Sequence, residues 1–137
     1  MDAVLQSFLA GFPVLLSHFI VTVLLLIAGV VIYVAITPHH EMKLIREGNT
    51  AAAVSLAGII VGLALPLAVS MAVSLSVFDI LIWGVFALAV QLITFFVVDV
   101  LMRGLSKRIE AGEMAPAVIL VAAKLAVAMI TAAALSG

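Results

Sequence analysis

Four long apolar runs alternate with three polar breaks along this chain. The runs cover roughly residues 14 to 36, 50 to 75, 79 to 102 and 113 to 135. Each is long enough to cross a bilayer core, which takes about 20 residues of helix. The residues before the first run, 2 to 11, are weakly amphipathic and are expected to lie in the interface or to extend the first helix. Pro13 suits the first turn of that helix, where a missing N–H costs nothing. Thr37-Pro38 is expected to end it. The first break then carries His39-His40-Glu41 and several further charges as a loop or short interfacial helix. Gly48 suits the left-handed residue that closes it, and Asn49 suits the cap of the second span.

Pro66 falls inside the second span. It frees the carbonyl of Gly62, four residues earlier, and predicts a helix kink. The second break, around Ser74 to Asp79, is a very short turn with Asp79 as the capping residue of the third span. Trp83 follows where an interface anchor belongs. The third break runs from Arg103 to Gly112, and Glu113 and Pro116 lie in the first turn of the fourth span.

Composition sets the class. The chain of 137 residues is 67% hydrophobic and 9% charged, more apolar surface than a water-soluble domain of that size can hide. It has no cysteine, which removes disulfides and cysteine-ligated metals, and its net charge of −1 gives no nucleic-acid footprint. An acid at position 2 and the lack of a basic segment argue against a secretory leader. The expectation is an all-α integral membrane protein, one domain over 1 to 137, with four transmembrane helices.

The stretch from Lys43 to Gly62 returns 64 residues later, from Lys107 to Ala126, with seven of twenty positions identical. The shared Lys-x-Ile-x-x-Gly before the apolar run makes chance a poor account. The chain therefore reads as two tandem helical hairpins, repeat 1 over about 14 to 75 and repeat 2 over about 79 to 135. Five of the six Lys and Arg (Lys43, Arg46, Arg103, Lys107 and Arg108) fall in the breaks after spans one and three. The positive-inside rule puts those two loops in the cytoplasm and both termini outside. With two spans per repeat, the repeats share one orientation, related by an axis along the membrane normal.

Two such units, each with a loop ending Ile-x-x-Gly followed by Asn or Glu and an Ala-rich helix start, resemble the YjfL-like family of small bacterial inner-membrane proteins. The most specific part is Gly48-Asn49-x-Ala51-Ala52-Ala53-Val54-x-Leu56-Ala57-Gly58. The second copy departs from it at Pro116 and Lys124. The resemblance covers essentially the whole chain. It implies a four-span protein of the bacterial inner membrane and no known activity.

Candidate chemistry is sparse. Gly58 and Gly62 on the second span match Ala122 and Ala126 on the fourth, and small side chains let helix backbones approach closely in lipid. These four are expected to pack spans two and four together. Lys124 is the one basic residue inside a span, about 16 Å in from the loop at the helical rise of about 1.5 Å per residue. A charge that deep must face protein or water. It lies opposite Ala122 and Ala126, which suggests a second protein interface, the middle of a homo-oligomer, with Gln91 as its partner. Asp99 sits one turn before Arg103 and reads as an i,i+4 pair with it. No Ser/His/Asp set, paired carboxylates or HExxH motif is present, so no enzyme activity, cofactor or metal is expected. Adjacent His39 and His40 read as solvated loop. Two functions remain. One is an oligomeric transporter or channel for an ion or small solute, with Lys124, Gln91 and Asp99 as polar lining. The other is a non-transporting membrane subunit whose basic loops dock a cytoplasmic partner or anionic lipid.

Overall fold

The computed structural model describes residues 1 to 37 and 41 to 137. Four long helices and two short ones follow in order: α1 (Asp2–Ile36), α2 (Glu41–Arg46), α3 (Thr50–Val73), α4 (Val77–Leu101), α5 (Arg103–Glu110) and α6 (Met114–Ser136). The four long ones are all apolar enough to span a membrane. The expected end of span one at Pro38 and the His39-His40 pair lie outside the described residues.

Residues 2 to 11 extend the first helix, one of their two expected forms, and the start of that helix differs from expectation. Pro13 does not open a helix; it lies inside a continuous 35-residue α1. Pro13 removes one backbone N–H from the ladder, and the rings of Phe8 and Phe12 stack along this segment at 5.4 Å. At about 1.5 Å per residue α1 is about 52 Å long, well beyond the about 30 Å hydrocarbon core, so part of it must extend past one face or tilt strongly.

The helix starts follow their sequence signals. Gly48 has φ +87° and Gly112 has φ +88°, both left-handed, closing the turns after α2 and α5. Asn49 caps α3 by accepting from the Ala52 N–H at 3.0 Å. Its amide also donates to the Ile109 and Glu110 carbonyls, both at 3.2 Å, which ties the start of α3 to the end of α5. At the other end Asp79 is not the cap itself. Ser76 caps α4 by accepting from the Asp79 N–H at 3.2 Å, and Asp79 accepts from the Leu75 N–H at 3.2 Å. The second bond reaches one residue before the cap, so the arrangement resembles a capping box without closing the reciprocal pair. α3 passes through Pro66, which is buried.

The most extensive helix–helix contact is between α3 and α6. Gly58 and Gly62 are buried as expected, and a Cβ on Gly58 would stand 2.6 Å from Val121 of α6. Gly62 instead faces α4, where a Cβ would stand 2.6 Å from Phe95. On α6 the expectation fails. Ala122 and Ala126 are exposed, and the inward face is Ala117, Leu120, Lys124, Ala128 and Ala132. The physical reason is that α6 has one face to turn inward, and shielding a charge from lipid outweighs burying two methyl groups. The central core is Ile59, Leu63, Leu67, Leu88 and Phe95 with Tyr33.

A buried ion cluster as candidate functional site

Three helices bring one polar group each to the loop end of the bundle. Asp99 lies two residues before the end of α4, and Tyr33 three residues before the end of α1. Lys124 starts ten residues into α6. Side chains on a helix lean toward its N-terminus, and for α6 that is the loop end. The lysine stem therefore runs back along the bundle. Its Nζ lies 2.8 Å from Asp99 Oδ1 and donates to the Tyr33 hydroxyl at 2.5 Å. The Tyr33 hydroxyl in turn donates to Asp99 Oδ2. Lys124 is 1% exposed and Tyr33 2%. The ammonium also sits 4.8 Å from the Tyr33 ring centre and 5.5 Å from that of Phe95. Those ring faces supply further attraction in a desolvated site.

Several expectations change here. Asp99 pairs with Lys124 rather than with Arg103. Gln91 is not the partner of Lys124: it is fully buried, and neither amide atom has a hydrogen bond. Nor does Lys124 face a second subunit, because one chain encloses it. Counting depth at Cα placed Lys124 too deep to reach a polar layer. The stem in fact covers that distance inside the protein and ends on a carboxylate instead of in water. Lys124 and Asp99 are brought together; Gln91 stands two helical turns away from Asp99 on α4.

The sequence reading missed Tyr33, Glu41, Ser55 and Ser106. All four line a small cavity beside Asp99 and Lys124 at the loop end. Its volume is about 10 Å³, room for a single water. Glu41 is 6% exposed, so part of the first break is tucked under the bundle rather than solvated. One signal was available. Tyr33 is the sole tyrosine and sits inside an apolar span, where a buried phenol needs a partner. The basic residues Lys43, Arg46, Arg103, Lys107 and Arg108 all lie at this same end on or beside α2 and α5. Lys107 and Arg103 are exposed, and Arg108 holds Glu113 through two bonds of 2.8 and 3.1 Å. Among the described residues, no group of three His, Cys, Asp or Glu is placed to hold a metal.

These features define a class: an all-helical membrane protein of four candidate spans with a buried ion pair at one end. A family model described as Domain of Unknown Function (DUF350) matches residues 7–135, and the chain belongs to that family. It is 34% identical over 93 residues to the "UPF0719 inner membrane protein YjfL" of Escherichia coli strain K12, covering 68% of this chain and 70% of the relative. It is 26% identical over 85 residues to the "UPF0719 transmembrane protein YshE" of Bacillus subtilis strain 168, covering 62% of this chain and 63% of the relative. No solved structure matches the chain.

Proposed function

We propose that this is a transporter or channel for an ion or small solute in a bacterial inner membrane, with the Lys124–Asp99–Tyr33 cluster as its binding site. The observation that carries the reading is the charged pair itself, buried within the spans and bordering a cavity. A charge within the spans is costly to retain and tends to mark a pathway. In this reading Lys124 attracts an anion, or Asp99 a cation or proton, once the pair opens. The inner-membrane location follows the printed name of the Escherichia coli relative. The basic loops face the cytoplasm and both termini face outward. The reading includes no catalytic step. Self-association, if the transporter is a homo-oligomer, would use the exposed Ala122 and Ala126 face of α6, not Lys124.

One observation favours the second reading, a non-transporting subunit that docks a cytoplasmic partner through its basic loops. The interior beyond Phe95 is closed by Leu63, Leu67 and Leu88, all buried. A flux experiment decides between them. The full chain is reconstituted in liposomes, and chloride, potassium and proton movement are followed against empty liposomes. Transport predicts flux of at least one, lost in Lys124→Met protein that still inserts. Flux that is equal in parent and variant, or absent from both, overturns the transport reading.

A further inference from the structure

A second concavity opens on the outer side of the ion cluster, between the loop ends of α1 and α4 and the short helix α5. It is a groove of about 300 Å³, within the size range of ligand sites. Its wall within the spans is apolar: Ile36, Phe96 and Val100, which are 52%, 55% and 44% exposed. Its rim carries Arg103 and Lys107, both exposed. They are four residues apart on α5, hence on one face of that helix. The α5 residues turned inward are Ser106 and Ile109. Asp99 also reaches the groove, but its two oxygens are taken by Lys124 and Tyr33. Glu110, at the same rim, is itself engaged within the protein.

We propose that this groove binds one anionic glycerophospholipid. Its phosphate sits on Arg103 and Lys107, and one acyl chain lies along Ile36, Phe96 and Val100. The shape has the two parts such a lipid needs in the order the bilayer imposes, cations at the interface and an apolar wall below. Arginine offers a planar fork for phosphate oxygens, and lysine adds a point charge. The headgroup must carry net negative charge because a zwitterionic lipid brings its own ammonium, which competes with Arg103 and Lys107 for the phosphate. Basic residues next to a span are where anionic headgroups concentrate.

The site is tested on the full chain in detergent by native mass spectrometry and thermal melting. Three probes are added: phosphatidylglycerol, phosphatidylcholine and inorganic phosphate. The expected result is a discrete phosphatidylglycerol adduct and a raised melting temperature, with at most a tenth of that affinity for phosphatidylcholine and no shift from phosphate. Arg103→Gln/Lys107→Gln protein should lose the adduct, whereas Lys43→Gln/Arg46→Gln protein should keep it. Val100→Trp, which fills the groove and leaves the cations intact, should also lose it, and covers the case in which the double variant does not fold. Equal binding of phosphatidylcholine, an equal shift from phosphate alone, equal loss in both double variants, or full retention in Val100→Trp would each overturn the proposal. So would a dimer that carries no lipid. Lipid retention is read without any flux, so this result stands apart from the transport experiment.

Discussion

Asp99 and Gln91 lie on one face of α4, eight residues apart, with Phe95 between them. Asp99 is met from two other helices, by Lys124 of α6 and Tyr33 of α1. Gln91 is fully buried and meets no hydrogen-bonding group. The loop-end half of the bundle is thus held by specific polar bonds, Asn49 to the end of α5 among them. The half beyond Phe95 is held by the shapes of Leu63, Leu67 and Leu88. A charge inside the spans is kept where its partners converge; an amide can be kept without them, because its desolvation costs far less than that of an ion. Where an ion pair sits is therefore the stronger pointer to function.

Removing one member of the pair should have the largest effect. Asp99→Asn takes the paired carboxylate from a buried ammonium and leaves Glu41, across the same cavity, as the nearby acid, and Lys124→Met leaves a carboxylate. Loss of one partner of a buried pair costs about 3–5 kcal/mol. Lys124→Met/Asp99→Leu should recover most of it, since both charges are gone. Melting temperature in a single detergent measures all three. If the double variant is no more stable than the worse single, the two residues are not coupled and the contrast with Gln91 collapses.

Next comes the partition between the halves. Gly62 stands against Phe95, where even a Cβ would approach to 2.6 Å. Gly62→Leu must push Phe95 out of the gap between Gln91 and Asp99, and Gly58→Leu must displace Val121. Overpacking of this kind costs about 1–3 kcal/mol. Both variants should express poorly or melt early. If they melt with the parent, the α3 glycines do not set the helix spacing.

Gln91→Leu should go the other way. It removes an amide with no partner and keeps the volume, so the change should be neutral or stabilising by up to about 2 kcal/mol, from the desolvation penalty of an unsatisfied group. A marked loss of stability would mean that Gln91 has a partner, such as a water, and that the far half is not dry.

How much of this the sequence carries depends on distance along the chain. Spans two to four, the Gly48 turn and the Asn49 cap are local, set by residues within a few positions, and they appear where expected. The resemblance to a four-span membrane family was legible too. Which face of α6 turns inward was not. The small-residue match pointed to Ala122 and Ala126, and the answer lay with Asp99 and Tyr33, residues 25 and 91 positions from Lys124. Helical angle says that a face is polar; it does not say what waits for it on another helix.

The smallest effect belongs to the same chemistry at the surface. Arg108 and Glu113 form a two-point pair, with side chains 54% and 47% exposed. The guanidinium holds the Glu113 carboxyl below the usual carboxylate range, first through its hydrogen bond and also through its charge. A lowered folded-state pKa sets the sign: the pair's contribution is present above the unfolded carboxylate pKa and is lost as pH falls through the lowered one. It should also weaken with salt, which screens exposed charges and leaves a buried pair such as Lys124–Asp99 largely untouched. Arg108→Gln should therefore return the Glu113 titration upward, read by carbon NMR of labelled glutamate, with a barely measurable change in melting temperature. If the Glu113 titration stays where it is, Arg108 does not hold it. If melting falls as far as in Lys124→Met, exposure is not what separates the two pairs.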